Sequence, residues 1–322
     1  MSRNDFTENM MVKVAWYYYK ENLTQTEIAD LLDLSRNKIV RLLEGARSEG
    51  IVQFHIKGTG VNCLSIENEM KETFDLGNAF VIPSSKGNLN NSLAKAAAQF
   101  LEEKMQPNDL LGFGWGETIS RTIEHLYIDP NSEISVVTLT GGVNYYFQKQ
   151  NHSLEGGLDK FKGRIHVIPS PFLTSTEEMA ANILSEPSVK NILDLATLSK
   201  HTIVGVGGLS PDATIVREEK MTVNELTFIK NQHAVGDILG QFYTIDGEVL
   251  DLPHHKRLIG TPLSKLKEMN NVIAVAGGKS KVEAIYGALK GGYIHTMITD
   301  EETASSLIQL EVHKKDGLYS GF

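Results

Sequence analysis

The chain has 322 residues, of which 41% are hydrophobic and 22% are charged, and its formal net charge is −9. At about 100–200 residues per domain, this length predicts two domains, or one large domain with an appendage. The single cysteine excludes an internal disulfide and a thiolate metal cage. Apolar runs fall far short of the roughly 18 residues of a membrane helix, and the polar N-terminal stretch lacks the core of a signal peptide. We therefore expect a cytoplasmic protein that does not enter a membrane.

The charge is distributed unevenly along the chain. Residues 1–57 hold eight basic and eight acidic side chains, so the remainder carries the whole net charge of −9. Within the neutral segment, Ser35–Arg47 has four basic side chains and one acidic side chain. An acidic protein with one small basic face is typical of a sequence-specific DNA-binding protein, because the acidic bulk suppresses indiscriminate binding. Composition alone leaves open that these charges form an ordinary solvated helix face.

The first fifty residues predict three helices. Apolar residues at helical spacing indicate a first helix from about Thr7 to Glu21. The segment Thr24–Glu27 has the sequence of a capping box, which opens a second helix. A three-residue turn follows, and its last residue, Ser35, caps a third helix. The side chains predicted to be buried by the second and third helices are Ile28, Leu31, Leu32, Ile39, Leu42, Leu43 and Ala46.

A helix, a tight turn and a second helix form the helix-turn-helix motif, whose second helix enters the major groove of DNA by its N-terminus. Here that helix begins with donors suited to guanine edges, adenine edges and phosphate. The segment Ile51–Lys57 alternates as a strand and predicts a wing. The alternative is a three-helix packing element with basic surface residues. The predicted DNA-contacting residues are Gln25, Thr26, Ser35, Arg36, Asn37, Lys38 and Arg41.

Residues 58–64 are predicted to link a DNA-binding domain, residues 1–57, to a large domain, residues 65–322. In the large domain, strand-like apolar runs alternate with helical patterns, which indicates an α/β fold with a doubly wound, mostly parallel sheet. One antiparallel hairpin is predicted around Asp246-Gly247. The predicted parallel strands are Ala79–Ile82, Leu110–Phe113, Ser135–Leu139, Ile165–Ile168, Thr202–Val206, Val272–Ala276 and His295–Ile298.

Several predicted strands end in glycine-rich turns. In open parallel sheets, ligands bind at the carboxyl ends of the strands, and glycine lets backbone amides approach an anion at a helix N-terminus. Glycines also serve tight packing, but four such turns together predict a phosphorylated small ligand. The turn residues predicted to bind it are Gly114, Trp115, Gly116, Thr118, Thr140, Gly141, Gly142, Gly207, Gly208, Gly277 and Gly278.

Two nucleotide-binding motifs are incomplete in this sequence, which narrows the kind of phosphorylated ligand. The segment Gly278–Ser280 resembles the end of a Walker A loop, but Ile273 stands where the first glycine of that loop belongs. The fingerprint Gly-x-Gly-x-x-Gly does not open any of the predicted strand–helix units. Nucleotide and nicotinamide sites are therefore disfavoured, and a compact sugar phosphate remains.

Segments in both domains resemble the SorC family of bacterial sugar-responsive transcription regulators, and the resemblance covers nearly the whole chain. It implies a regulator, expected to be a repressor, of an operon for carbohydrate or autoinducer uptake or catabolism. It further implies an effector domain related in fold to sugar-phosphate isomerases and deaminases, a phosphorylated sugar or autoinducer as effector, and dimers that assemble into tetramers on double-stranded operator DNA. The segments that carry it are Leu23–Ala29, Leu34–Arg36, Val40–Leu43, Gly112–Gly116, Thr138–Gly142, Ala234–Asp237, Ala276–Gly278 and Lys290–Tyr293.

The resemblance also implies two charged effector contacts. The acidic residue that follows Val-Gly in the family matches Asp237, and the lysine that follows Ala-Gly-Gly matches Lys281. An ammonium group can meet a phosphate, and a carboxylate accepts from sugar hydroxyls. The alternative for each is a surface charge or a structural ion pair. Lys279 and Lys290 are weaker candidates, since Lys290 also fits the C-terminus of a helix before Gly291.

The sequence lacks the motifs of several catalytic classes. It contains no His-x-x-x-His pair and no Gly-x-Ser-x-Gly nucleophile elbow, and we expect neither a metal nor a cofactor. The adjacent His254 and His255 lie in a polar stretch that predicts solvated side chains. Glu117 would serve as an acid or base if the large domain kept isomerase chemistry. A non-enzymatic regulator is the leading interpretation, and a sugar-phosphate isomerase or deaminase with a nucleic-acid-binding appendage is the alternative.

Overall fold

The computed structural model describes residues 3–21, 23–48, 51–52, 60–84, 87–142, 158–161 and 164–316. Its contacts divide the chain into two units, Met1–Gly58 and Thr59–Phe322. Ile51 and Val52 form a bend, and the rest of the predicted wing lies outside the described residues. No helix in the described ranges is long and apolar enough to cross a lipid bilayer.

The first unit contains the helices α1 (Arg3–Tyr19), α2 (Gln25–Leu32) and α3 (Arg36–Ser48). The predicted capping box opens α2, because the Thr24 hydroxyl accepts from the Glu27 amide while the Glu27 carboxylate accepts from the Thr24 amide at 2.8 Å. The Thr24 hydroxyl also donates to this carboxylate, at 2.7 Å, and the hydrogen bonds from the Thr24 amide and hydroxyl lower the pKa of Glu27. The α2 helix ends at Asp33, which has a left-handed φ of 53° and turns the chain toward α3.

The helices of the first unit share one apolar core. The predicted stripe of α3 is buried, and it packs against Val14 of α1 and Ile28 of α2. The prediction for Leu31 was wrong, since its side chain is 57% exposed. Leu31 lies two residues beyond Ala29 and therefore nearly opposite to it around the helix axis, whereas the short α2 buries the side that carries Ile28 and Ala29.

The second unit alternates helices and strands. Its helices are α4 (Gly60–Phe74), α5 (Leu89–Lys104), α6 (Glu117–His125), α7 (Glu177–Ser185), α8 (Pro187–Ala196), α9 (Thr214–Arg217), α10 (Val223–Lys230), α11 (Leu263–Leu266), α12 (Val282–Lys290) and α13 (Glu301–Lys315). Its strands are β1 (Asn78–Ile82), β2 (Leu110–Phe113), β3 (Ser135–Thr138), β4 (Ile165–His166), β5 (His201–Gly205), β6 (Gly236–Ile238), β7 (Gln241–Tyr243), β8 (Val272–Val275) and β9 (Thr296–Asp300).

The helix α4 corrects the predicted linker. Residues 60–64, predicted to belong to the linker, lie within α4, whereas residues 58 and 59 lie outside the described residues. The physical reason is the spacing of Cys63, Ile66 and Met70, which places all three side chains against the core of the second unit.

Seven strands form one parallel sheet in the order β1-β9-β8-β5-β2-β3-β4. Alternate residues of a strand face two different cores. In β8, Val272 and Ala274 belong to one core, and Ile273 and Val275 belong to the other. Burial on both faces explains why the strands are continuous apolar runs in the sequence. The predicted α/β fold with a mostly parallel, doubly wound sheet is confirmed.

The strand order changes direction next to β2. From β2 the chain proceeds to β3 and β4 on one side, then returns to β5 on the other side. Such a reversal leaves a crevice at the carboxyl ends of the two strands, because their following loops depart in opposite directions. The structure therefore places a natural ligand site beyond the ends of β2 and β5.

The predicted antiparallel pairing around Asp246-Gly247 is present only as one bridge, and a regular ladder lies earlier in the chain. The regular antiparallel ladder joins β6 to β7 through a tight turn at Leu239 and Gly240, whose φ angles are 55° and 76°. The turn at Asp246-Gly247 exists, but it is followed by a single bridge between Tyr243 and Val249. The earlier turn is closed by the Asp237 carboxylate, which accepts from the Gly240 amide at 3.0 Å.

Candidate functional site

The predicted DNA-contacting residues lie at the start of α2 and the start of α3. Thr26, Ser35, Asn37, Lys38 and Arg41 are exposed, as is Arg36, whereas Gln25 is half-buried. The Ser35 hydroxyl accepts from the Lys38 amide at 3.3 Å, as predicted for the cap of α3. A surface concavity joins Gln25, Thr26 and Arg36, and it is also lined by Tyr18, Tyr19, Leu23 and Thr24, which sequence reasoning missed.

The second unit contains a polar cavity of about 250 Å³ at the reversal of the strand order. The loop after β2 and the loop after β5 form opposite parts of its wall, and the segment before α12 completes it. Eight of the predicted effector residues line this cavity: Trp115, Gly116, Thr118, Gly207, Gly208, Asp237, Gly277 and Lys281.

The Thr140–Gly142 turn does not line the cavity, contrary to its prediction as a ligand loop. Its amides are used within the protein, since Gly141 donates to the Ile259 carbonyl at 2.9 Å and Gly142 donates to the Ser170 carbonyl at 2.8 Å. The side chain of Thr140 is buried. This turn therefore anchors the segments around residues 170 and 259.

Three further predicted residues stand outside the cavity lining. The Gly278 amide donates to the Thr303 hydroxyl at 2.7 Å, so it points into the protein. The Gly114 amide donates to the Ile203 carbonyl at 2.8 Å and continues the pairing of β2 with β5. Lys290 is the last residue of α12 and pairs with Glu311 at 3.5 Å, at the opposite end of the helix from Lys281.

Asp237 is buried where the hairpin meets the end of β5. Its backbone exchanges two hydrogen bonds with Gly207, and its side chain is only 6% exposed. A Cβ atom at Gly207 would lie 1.9 Å from the Asp237 Oδ1 atom, so the carboxylate requires glycine at that position. Burial raises the pKa of Asp237 to about 6, and the Gly240 amide and Lys281 oppose that rise.

Lys281 provides a positive charge on the cavity wall, immediately before α12. Burial lowers the pKa of Lys281, while Asp237, Glu117 and Asp212 act in the opposite direction. A partly desolvated ammonium group can donate a strong charge-assisted hydrogen bond to an anionic oxygen. The residue predicted from the family resemblance is thus in the cavity with Asp237.

The helix α6 begins at the cavity. Its N-cap residue is Gly116, with a φ of 132° that favours glycine, and among the described residues no side-chain hydrogen bond caps this N-terminus. Uncapped amides at a helix N-terminus are suited to an anion. At the other end of α6, the Lys160 ammonium donates to the carbonyl oxygens of Ile123 at 2.5 Å and Leu126 at 2.8 Å.

Glu117, the first residue of α6, is held by two guanidinium groups. Arg217 donates to its Oε2 atom at 2.7 Å, and Arg121 donates to its Oε1 atom at 3.0 Å. The hydrogen bond from Arg217 is the largest of the effects that lower the pKa of Glu117. A carboxylate held ionised in this way is a poor general acid.

Sequence reasoning missed several polar residues of the cavity. The loop that follows β5 and the helix α9 supply most of them, and the Ser-Pro-Asp sequence of the loop is a turn signal rather than a ligand signal. The missed lining residues with polar side chains are Asn90, Ser210, Asp212, Thr214, Arg217 and Ser280.

The histidine pair is not solvated, contrary to prediction. His254 is buried, and burial is the main cause that lowers its pKa to about 4. The His255 Nε2 atom accepts from the Phe242 amide at 2.8 Å. In the described part of the chain, no three His, Cys, Asp or Glu side chains come together as a metal site.

Comparison with known proteins assigns most of the second unit to a family of domains. The model of the sugar-binding domain family, Sugar-bind, matches residues 60–309. The transcriptional regulator LsrR of Enterobacter sp. (strain 638) is 37% identical over 309 residues, which cover 94% of each chain. The transcriptional regulator LsrR of Escherichia coli O139:H28 is 36% identical over 310 residues, which cover 94% of this chain and 95% of that protein.

A solved structure supports the same assignment. The full-length sorbitol operon regulator SorC from Klebsiella pneumoniae is 25% identical, with a TM-score of 0.69 over 93% of this chain and 98% of that one. The matches define the protein as a transcriptional regulator with a sugar-binding domain. The chain belongs to the SorC family of transcriptional regulators. Since these relatives are regulators, they agree with the prediction of a non-enzymatic role.

Proposed function

We propose that the protein represses an operon for carbohydrate or autoinducer uptake or catabolism, and that a phosphorylated sugar-like effector relieves this repression. In this proposal α3 reads the operator, and the residues at its start contact bases and phosphates. One such unit reads a half-site, so two-fold pairing of protomers into dimers or tetramers is part of the proposal.

The observation that carries the effector proposal is the cavity at the ends of β2 and β5. It combines uncapped amides of α6, the ammonium group of Lys281, and the buried carboxylate of Asp237. The first two groups suit a phosphate, and the third suits a sugar hydroxyl. The cavity of about 250 Å³ is of the size for one small ligand.

The isomerase alternative is disfavoured by the geometry of its candidate acid. Glu117 is bound by Arg217 and Arg121, and the pKa of its carboxyl is lowered. The lowered pKa makes Glu117 a poor proton donor at neutral pH, so this alternative would have to use Asp237, whose pKa is raised to about 6. Incubation with pentose and hexose phosphates distinguishes the two functions, because saturable binding without turnover supports the regulator.

The first experiment identifies a ligand by thermal unfolding in the presence of sugar phosphates. A ligand at about 100 times its dissociation constant adds roughly 2.7 kcal/mol of stability. The second experiment measures operator occupancy against the concentration of that ligand, for the wild type, Lys281→Ala and Lys279→Ala. Lys279 is the matched control, because it is an exposed lysine two residues away that pairs with Glu302 at 2.8 Å.

We expect Lys281→Ala to bind operator normally and to need a higher concentration of ligand for release. The lost charge-assisted hydrogen bond corresponds to roughly 1.5–3 kcal/mol. An effector acts only through its different affinities for the two states, so weaker binding maintains repression. Release of Lys281→Ala at the wild-type ligand concentration would remove Lys281 from the site.

Arg36→Ala tests the DNA contact, and unchanged affinity for cognate and scrambled DNA would remove Arg36 from the interface.

A further inference from the structure

Two arginines divide the carboxylate of Glu117 between them. Arg217 donates through Nη2 to the Oε2 atom at 2.7 Å. Arg121 donates to the other oxygen, Oε1, through Nη2 at 3.0 Å and through Nε at 3.1 Å. Arg217 lines the cavity, whereas Arg121 is not among its lining residues. The carboxylate thus joins one arginine that faces the ligand cavity to a second arginine that does not.

Arg217 lies close to the position proposed for a phosphate. Glu117 is the first residue of α6, so its own amide belongs to the N-terminus at which the described residues make no side-chain cap. The Arg217 guanidinium is therefore separated from this amide by little more than one glutamate side chain. After burial, which is the main cause, the charge of Arg217 lowers the pKa of Lys281 further. Lys281 and Arg217 are thus two cations beside the same helix N-terminus.

Arg217 can leave Glu117 without leaving that carboxylate unpaired, because Arg121 holds the other oxygen with two hydrogen bonds. The Arg217 side chain is 47% exposed, and an ion pair this exposed adds little stability. A phosphate monoester carries between about −1.5 and −2 charges and three acceptor oxygens, against the single charge of a carboxylate. Coulomb attraction therefore favours the exchange of the carboxylate for a phosphate.

We propose that Glu117 is an internal competitor of the effector phosphate, which holds Arg217 in the ligand-free protein and yields it to the phosphate on binding. This proposal rests on the proposed function, in which the cavity binds a phosphorylated sugar. On binding, Arg217 changes partner from the Oε2 atom of Glu117 to a phosphate oxygen, and Arg121 keeps the charge of Glu117 compensated. Because Glu117 lowers the affinity of the site, it sets the effector concentration at which the regulator responds.

The test is a double-mutant cycle on this ion pair. Dissociation constants of inorganic phosphate and of fructose 6-phosphate are measured by calorimetry on the full chain at neutral pH. The proteins are the wild type, Glu117→Gln, Arg217→Gln and the double variant. The matched control is the ion pair of Arg164 with Glu133 at 2.8 Å, which is also exposed and lies outside the cavity lining. Its variants are Arg164→Gln and Glu133→Gln.

We expect Arg217→Gln to weaken the binding of both probes by about tenfold or more, because a charge-assisted contact is lost. Glu117→Gln should tighten their binding by up to about fivefold, since the exposed ion pair no longer competes. In the Arg217→Gln background, Glu117→Gln should change the affinity by less than about twofold, because the contested cation is gone. The control variants should bind as the wild type does. Arg217→Lys keeps the charge and should retain part of the affinity, which shows that the loss in Arg217→Gln is not a folding defect.

The possible results separate this proposal from the proposed function. Unchanged affinity in Arg217→Gln would overturn the exchange of partners. Weaker binding by Glu117→Gln would overturn the competition, because the carboxylate would then only position Arg217. A gain in Glu117→Gln that persisted in the Arg217→Gln background would also overturn it, since any loss of negative charge would then suffice. Each of these results leaves the sugar-phosphate site intact, whereas a wild type that binds neither probe would refute both.

Discussion

The buried carboxylate of Asp237 predicts a stability that depends on pH. Burial is the main cause that raises its pKa from 3.8 to about 6. At about 1.4 kcal/mol for each tenfold change in the ionisation constant, that rise corresponds to about 3 kcal/mol of stability that the folded protein lacks when this carboxyl is ionised. The folded protein holds a proton that the unfolded chain has released. The contribution of this group to stability is therefore complete below pH 3.8 and is lost as the pH rises to about 6.

We expect Asp237→Asn to stabilise the protein above pH 6 by up to about 3 kcal/mol, because the amide carries no charge to desolvate. The Asn side-chain carbonyl would still accept from the Gly240 amide, which now donates to Asp237 at 3.0 Å. The gain should vanish near pH 4, where the wild-type carboxyl is protonated. The same variant should lose its response to effector, since an amide replaces the carboxylate.

The assay is urea unfolding between about pH 4 and pH 8. The chain has two tryptophans, one in each unit, so fluorescence in a Trp16→Phe background reports on Trp115 beside the cavity. Trp16 is 56% exposed, and its replacement should leave the second unit unchanged. A difference between Asp237→Asn and the wild type that stayed constant across this pH range would refute the reasoning. So would a variant that is less stable than the wild type at pH 7.

Three further variants test local features of the two units. Thr24→Ala removes the capping box of α2 and should lower the free energy of unfolding of the first unit by about 1 kcal/mol in urea. Thr24→Ser keeps the hydroxyl and should restore the wild-type stability. Equal stability of the wild type and both variants would show that the capping box does not stabilise α2. Lys160→Met removes the cation that binds the last carbonyls of α6. The free energy of unfolding of the second unit, followed by Trp115 fluorescence, should decrease by about 1–3 kcal/mol. Lys160→Arg keeps the charge and should show a smaller decrease. Gly207→Ala places a Cβ atom 1.9 Å from Asp237 Oδ1 and should displace that carboxylate. We expect operator binding to persist and release by effector to be lost. A wild-type release curve would show that the cavity accommodates the added methyl group.

The elements of the fold were predictable from local signals, but their order in the sheet was not. Each of the seven predicted parallel strands is present, because a strand buried on both faces is a short apolar run between turns. The strand β4 stops at His166, two residues earlier than predicted, since Ile168 packs into a separate small core instead of continuing the ladder. Nothing local indicates that the first strand of the sheet pairs with the last, as β1 does with β9.

The sequence predicted a ligand site at the ends of the parallel strands, but only some of the residues that line the cavity. Glycine-rich turns look alike in the sequence, yet the structure divides them by the partners of their amides. The Gly278 amide is satisfied within the protein by Thr303, whereas the first amides of α6 are left uncapped beside the cavity. Arg217 was missed because its relevance comes from Glu117, which lies 100 residues away in the chain.

The pairing of β1 with β9 has a consequence for the order in which the protein becomes competent during its synthesis. The core of the first unit consists of contacts among α1, α2 and α3, so it can form once about sixty residues have left the ribosome. The strand β1 must instead wait for β9, whose paired residues come 218 positions later, as Thr296 does after Asn78. At translation rates of about 5–20 residues per second, that delay is about 10–40 s. A nascent chain thus carries a folded first unit well before it carries the complete sheet of the sugar-binding domain.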